Sequence, residues 1–323
     1  MVTTTRLYAD GSLTSTEISV DEISEHIAET GSTVWADFVS PTQEDLADIE
    51  AELSLHTLAV EDAVHDHQRP KLDRYDSHLF FAGYAVTLDA ETGELSKTEV
   101  KAFITPHALV TVHAPEFDMG RVVARWDRDR DLAVHGVAFL LWGLLDEIVD
   151  GHFETVLQLD AAIESLEDAL FDDKPREKEV QRRSFQLRKS LVEMRRVILP
   201  MREVVNTVLR RDLDTLNPRM QPYFQDVYDH VLRATEWTES LRDLVSTILE
   251  TNLSIQGNRM NLIMKKVTSW AAIIAVPTAI TGWFGQNLSF AGFGTVWGVW
   301  MSVLLIVASS VALYFSFKKQ DWL

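Results

Sequence analysis

Residues 267–317 contain no Asp, Glu, Lys, Arg or His. A stretch of this length without charge has to be kept out of water, and it divides at 288–295 (LSFAGFGT) into two apolar segments, 267–287 and 296–317. Each has roughly the 20 residues that a helix needs to cross a hydrocarbon core. A helical hairpin buried inside a soluble protein is the alternative, but charge-free runs this long are unusual there. Lys265 and Lys266 flank one outer end of the pair, Lys318 and Lys319 flank the other, and the connector carries no cation. The positive-inside rule therefore predicts a multi-pass protein of the cytoplasmic (inner) membrane, with both termini in the cytoplasm, the connector outside and the lipid bilayer as a partner. The opening MVTTTRLYADGS lacks an apolar central region, so no secretory signal peptide is expected.

The charge distribution draws the same division between two solvents. The formal charge is −19 over 323 residues, yet residues 259–323 carry five cations against one acid, so the acidic excess lies wholly upstream. A chain this acidic is not built to neutralise nucleic-acid phosphates. The absence of cysteine excludes a disulfide framework, a thiolate zinc site and a cysteine nucleophile. There is no Walker loop, GxSxG or HExxH, so neither an enzyme nor an organic cofactor is expected.

The upstream part reads in three pieces. In residues 1–135, TRLYA, TVWADF, HLFFAGYAVTL, EVKAFI and ALVTVHA predict strands. Ser40-Pro41-Thr42-Gln43 predicts a capping box that opens a helix toward Leu53, giving a cytoplasmic α/β domain. In residues 136–222, apolar side chains recur in steps of three and four from Leu141 to Leu170, interrupted by His152, and again from Val180 to Val208. Asp172-Asp173-Lys174-Pro175 breaks the two apart, which predicts a long helical hairpin. Residues 140–173 hold ten acids and no Lys or Arg, while 174–211 hold twelve basic residues, so opposite charges are expected along one seam, each exposed pair contributing about 0.5 kcal/mol. Such a salt-bridged surface hairpin is one complete explanation of the pattern; the functional alternative is that the acidic helix concentrates cations near the membrane entrance. From residue 223 there is no proline until Pro277, which predicts one stalk helix, 223–266, running into a first membrane span, 267–287. Its seam of Val227, Val231, Ala234, Thr238, Leu241, Val245, Ile248, Asn252 and Ile255 predicts homo-oligomerisation.

The first span carries Ala271, Ala275, Thr278 and Gly282 on one stripe of small residues. Such a stripe packs helices closely or, in a ring of copies, lines an axial pore. Met264 and Val267 continue it as a hydrophobic constriction of the kind that gates by dewetting. No ionisable side chain lies in the membrane, so neither a proton relay nor a carboxylate ion site is expected there, and selection falls to neutral oxygens.

At the end of this span, Pro277-Thr278-Ala279-Ile280-Thr281-Gly282-Trp283-Phe284-Gly285-Gln286-Asn287 resembles the end of the first membrane helix in the CorA family of divalent-cation channels, marked by Gly-Met-Asn. Most of the chain joins in. Glu61-Asp62 is similar to the family's LED, His67-Gln68-Arg69-Pro70-Lys71 to its HQRPK, Pro200-Met201-Arg202-Glu203-Val204 to its PLREV, and residues 222–230 (PYFQDVYDH) to its PYFRDVYDH. Trp322-Leu323, in the tail 318–323, resembles the usual C-terminus.

The resemblance implies a funnel-shaped homopentamer of α+β membrane subunits, with first spans lining the pore and second spans, 296–317, outside them. It implies Asn287 as a ring of amide oxygens at the outer mouth, with Gly285 permitting the turn, Thr278 as a polar ring, Met264 and Val267 as the gate and Asn261 as the ring below it. Asp62 and Asp226 match the pair that binds regulatory Mg2+ between neighbouring subunits; read without the resemblance, they are solvated surface charges. The implied function is a channel carrying Mg2+, with Co2+ or Ni2+ as further cargo, into the cell down the membrane potential and gated by cytoplasmic Mg2+. Two departures bear on selectivity: Gln286 stands where the signature has Met, and the connector has no acidic residue. Relatives with altered signatures, such as the ZntB branch, move zinc, so a zinc transporter of the same fold is the alternative. The His65-Asp66-His67 triplet is read as structural or exposed rather than as a zinc site. A membrane-anchored signalling or scaffold protein would account for the spans and the long helix, but not for Gly285-Gln286-Asn287.

Overall fold

The structure, a computed structural model, describes residues 2–65, 68–171, 177–210, 217–286, 292 and 294–323, and divides into two compact units, Met1–Ile248 and Leu249–Leu323. The first unit is built on seven strands: β1 (Val2–Ala9), β2 (Ser12–Ser15), β3 (Ser32–Val39), β4 (Lys71–Arg74), β5 (Leu79–Leu88), β6 (Leu95–Ile104) and β7 (Ala108–His113). They form one sheet in the order β2-β1-β3-β7-β6-β5-β4, with β3 and β7 parallel and every other neighbour antiparallel. All five expected strands are present. The two that sequence reasoning missed, β2 and β4, are the short edge strands, where polar side chains and Pro70 hide the alternation of a half-buried strand.

Both faces of the sheet are covered, which is why β3 is buried at every position from Ser32 to Phe38. Side chains alternate along it. Val34, Ala36 and Phe38 join Ile23, Ile49 and Val60 in a core beneath three short helices, α1 (Ile23–Ala28), α2 (Ala47–Glu52) and α3 (Thr57–Val64). Trp35 points the other way and meets Trp126 of α4 (Met119–Arg128) edge to face at 4.9 Å. Trp126 in turn lies against α5 (Val137–Phe171), donating to the Leu140 carbonyl at 3.1 Å, and a Cβ at Gly143 would collide with its indole. The expected cap at Ser40 is displaced. Ser40 has a left-handed φ of 46°, and the reciprocal box forms two residues later, where Asp45 accepts from Thr42 N at 2.8 Å and Asp45 N donates to Thr42 Oγ1 at 3.3 Å.

The α5 helix and α6 (Glu177–Arg210) form the expected hairpin, and the periodic apolar positions of both, Leu141 to Leu170 and Val180 to Val208, are buried. The hairpin belongs to the same unit as the sheet: α5 packs on β5 and α6 on β4. His152 marks the anchorage. It is fully buried, donates from Nε2 to the Tyr84 carbonyl of β5 at 2.7 Å, and burial pushes its pKa down to about 4, so it is a neutral core residue. Among the described residues the ion pairs of the two helices run to other elements instead of along the expected seam between them. The α5 acids near its start pair with Arg121 and Arg125 of α4, and α6 reaches Lys97 on β6 through Glu193 and Glu239 of α7 (Gln221–Phe284) through Arg195. Likewise, the α7 seam from Val227 to Ile248 is already buried within the first unit, so it does not by itself call for a second copy.

One buried charge holds the parallel pair of strands. On the α4-facing side, Trp35 Nε1 donates to Thr111 Oγ1, Thr111 Oγ1 donates to Asp37 Oδ1 at 2.5 Å, and His113 Nε2 lies 3.2 Å from Asp37 Oδ2. His113 Nδ1 faces the Ala114 carbonyl at 2.7 Å, so both ring nitrogens point at acceptors and the imidazolium satisfies both. Burial opposes that charge, but the Asp37 carboxylate outweighs it and the His113 pKa is raised. The stabilisation is therefore complete below the unfolded pKa of about 6.5 and is lost as pH rises through the higher folded value. His113→Leu, which strands a buried carboxylate, should cost about 3 kcal/mol or more at pH 6. Chemical denaturation at pH 6 and pH 9 should show the gap to the unmodified protein narrowing at the higher pH.

Candidate functional site

The second unit contains the end of α7 and a further helix, α8 (Val296–Lys319), and it has almost no interior. The charge-free windows of both helices are only 6% buried. Water would oppose so much bare apolar surface, and lipid would not. Thr295 caps α8 and Lys318 and Lys319 occupy its last turn, where cations suit the negative end of a helix.

Exposure on α7 is two-sided. Ser269, Ile273, Val276, Ile280 and Phe284 are buried or half-buried, while Asn261, Met264, Val267, Ala271, Ala275 and Thr278 are all exposed. At 100° per residue the exposed set fits within a face of roughly 120°, centred opposite Ile273. Every predicted pore-lining residue in the described part of the helix thus lies on one exposed face; exposure extends beyond it, since Trp270, Ile274 and Trp283 on flanking faces are bare as well, and only the line through Ile273 is covered. Thr278 Oγ1 donates its proton to the Ile274 carbonyl at 2.9 Å, which leaves oxygen lone pairs rather than a donor for anything outside the helix. At the helix end Gly285 N donates to the Thr281 carbonyl at 2.8 Å, and a Cβ at Gly285 would press on that carbonyl at 3.1 Å. Gln286 is exposed. Asn287 lies outside the described residues, as do Asp66 and His67, while His65 donates from Nδ1 to the Glu61 carbonyl at 2.8 Å.

The predicted regulatory carboxylates lie in the first unit. Asp62 sits on the last turns of α3, and Lys101 fixes that end by donating from Nζ to the Ala63 and His65 carbonyls at 3.1 and 2.7 Å. Expected from the resemblance as a regulatory Mg2+ ligand, and without it as a solvated charge, Asp62 has protein partners on both oxygens: Lys71 Nζ at 2.6 Å on Oδ2 and Gln68 Nε2 at 3.2 Å on Oδ1. Asp226 is exposed on the first turns of α7. Among the described residues no hydrogen bond or ion pair joins the two within one chain.

A second acidic cluster, not anticipated from sequence, lies between α5 and α7. One ligand atom from each of Asp146, Asp150 and His230 lies within 4.8 Å of the others. A guanidinium already fills it: Arg125 contacts Asp146, Glu147 at 3.0 Å and Asp150 at 2.8 Å, while His230 Nδ1 lies 3.2 Å from Asp150 Oδ1.

A family model described as CorA-like Mg2+ transporter protein matches residues 30–319. The chain belongs to that family. The cobalt/magnesium transport protein CorA of Thermotoga maritima is 32% identical over 275 residues, covering 83% of this chain and 77% of that protein. The cobalt/magnesium transport protein CorA of Methanocaldococcus jannaschii is 25% identical over 327 residues, covering 100% of both. The complete structure of the CorA magnesium transporter from Methanocaldococcus jannaschii superposes with a TM-score of 0.79 over 100% of both chains at 22% identity, which shows the shared fold. Membership places the chain among divalent-metal-ion transporters of the membrane rather than among enzymes.

In this CorA-like chain the partners of the carboxylates are what sequence reasoning missed. Lys71, in β4, follows Asp62, in α3, by nine positions, a separation that no local periodicity reveals; Arg125 reaches α5 from α4. The Arg125 cluster yields a direct test. Arg125→Met leaves Asp146 and Asp150 without their guanidinium, Glu147 alone keeping Arg121, at a cost of about 3 kcal/mol or more. The melting temperature of the variant should fall in chelator and recover with added Mg2+ or Co2+, whereas the unmodified protein should show no such rescue from this cluster.

Proposed function

We propose that the chain is a homopentameric channel of the cytoplasmic membrane that carries Mg2+ into the cell, with Co2+ and Ni2+ as further cargo. The observation that carries this reading is the bare stripe of small and neutral side chains on α7, which leads to Gly285-Gln286-Asn287 and contains no charge from Val267 onward. A single helix face encloses nothing, but identical copies around an axis convert the stripe into rings. Five copies, and termini in the cytoplasm, follow the CorA resemblance and the flanking lysines.

Conduction then needs no covalent chemistry. Mg2+ surrenders its waters reluctantly and prefers oxygen, so rings of Asn287 and Gln286 amide oxygens hold the hydrated ion through its waters, and Thr278 lone pairs receive it further in. Oxygens without charge bind weakly enough to let it go. A potential of 100 mV supplies about 2.3 kcal/mol per charge, hence about 4.6 kcal/mol for a divalent ion moving inward. Met264 and Val267, 56% and 59% exposed on one chain, become apolar rings that shed water and close the path. Glu154, Glu164, Glu167 and Asp168, exposed along α5, raise the local cation concentration at the cytoplasmic side.

Regulation is assigned to Asp62 and Asp226, facing each other across a subunit boundary. Two carboxylates brought together repel, and Mg2+ between them removes the repulsion, so the bound ion favours a symmetric closed ring. The transported ion thereby closes its own channel.

Ion flux into liposomes holding only this protein tests the reading, with Mg2+, Co2+ and Zn2+ in competition. Asn287→Ala should abolish Mg2+ uptake without changing the oligomer, since one substitution removes a whole ring of amides; normal flux would remove Asn287 from the filter. Gln286→Met should keep conducting with at most a changed ion preference. In patches with stepped internal Mg2+, Asp226→Asn should stay conductive at concentrations that silence the unmodified channel, and closure at the same concentration would place the sensor elsewhere.

A further inference from the structure

Asp62 is already occupied by a cation that belongs to the chain. Its Oδ2 lies 2.6 Å from Lys71 Nζ, and its other oxygen accepts from Gln68 Nε2 at 3.2 Å. A divalent ion coordinates that carboxylate, directly or through water, only where a negative oxygen faces it, and the ammonium covers the one that carries no other bond. We propose that Lys71 is a built-in competitor of the regulatory cation, holding Asp62 while internal Mg2+ is low and yielding it when Mg2+ binds. This inference rests on the assignment of Asp62 as part of the sensor.

Three features suit Lys71 to exchange rather than to permanent pairing. First, it has a second acceptor: Asp73 Oδ2 lies 2.7 Å from the same Nζ, and the Phe80 ring centroid lies 5.5 Å away. When Asp62 turns to a divalent ion, the ammonium keeps Asp73 and its charge is not stranded. Second, it stays charged. A lysine ammonium keeps its proton far above neutral pH, and Asp73 remains beside it when Asp62 turns away, so the competitor stays cationic. Third, both ends are held by the fold. Asp62 is in α3, whose C-terminal carbonyls are tied down by Lys101, and Lys71 is in β4, in register with Ala82 of β5. The pair is about one third exposed at each side chain, 27% and 30%, so ions from solution reach it.

Competition of this kind lowers apparent affinity by the fraction of time the carboxylate is free. Its purpose is a threshold: the sensor ignores Mg2+ until the ion outcompetes the ammonium. The sign separates this role from a merely structural one. Loss of a structural ion pair loosens the domain and weakens cation binding; loss of a competitor tightens it.

The test uses the full-length protein in patches, with internal MgCl2 stepped and the closing midpoint read. Lys71→Gln should lower the midpoint roughly two- to five-fold, the range expected on removing an exposed ion pair. Lys71→Arg should retain the unmodified midpoint. Asp73→Asn, which leaves Lys71 with Asp62 alone, should raise it, and should do much less in a Lys71→Gln background. An unchanged or raised midpoint in Lys71→Gln, with Asp62→Asn shifting closure, overturns the competitor while leaving the sensor in place. If Asp62→Asn itself does not shift closure, the sensor assignment fails and the competitor fails with it. Should Lys71→Gln melt below the assay temperature in chelator, the Asp73→Asn arm decides: no shift, or a lower midpoint, counts against the proposal.

Discussion

A divalent cation and a hydrocarbon interior are incompatible, and residues 267–317 meet that incompatibility without a single ionisable group. Neutral oxygen and narrow apolar rings are the remaining means of binding and gating an ion. That constraint explains the two-sided character of α7, with Ile273 on the covered face and Ala271, Ala275 and Thr278 on the bare one. It also fits the concentration of charge in the first unit, where water screens it.

Within that unit, arginine, lysine and histidine do the work of neutralising acids in place. Arg125 fills the cluster of Asp146, Glu147 and Asp150, Lys71 stands between Asp62 and Asp73, and His113 answers Asp37 inside the sheet. A protein that handles divalent cations benefits from such internal countercharges, because a bare cluster of carboxylates would bind the ion wherever it occurred. Lys71 differs from Arg125 in having a second acceptor outside the pair, at Asp73.

Much of this fold is legible in the sequence because its signals are long. The charge-free run, the 3.6-residue periods from Leu141 and Val180, and the proline-free path into α7 all correspond to elements found. Short signals fared worse. The β4 strand is hidden behind Pro70 and its charged residues, and the helix cap moved from Ser40 to Thr42 because a left-handed turn at Ser40 ends the preceding strand. The α7 seam was readable as buried but not as to its partner, since a periodic stripe does not say whether it packs on its own chain or on a copy. Of the candidate site, the stripe on α7 was visible because helical spacing is local. The countercharges were not, because Lys71 meets Asp62, and Arg125 meets Asp146, only after the chain has folded back on itself.

The central claim is that the bare face of α7 lines the ion path. The chain has no cysteine, so a single introduced one is an unambiguous probe. Ala271→Cys lies on that face and Ile273→Cys on the opposite one, two residues and about 200° away. Mg2+ flux in liposomes should be blocked by a charged, water-soluble thiol reagent in Ala271→Cys and spared in Ile273→Cys. Block in Ile273→Cys with Ala271→Cys unaffected would contradict the account.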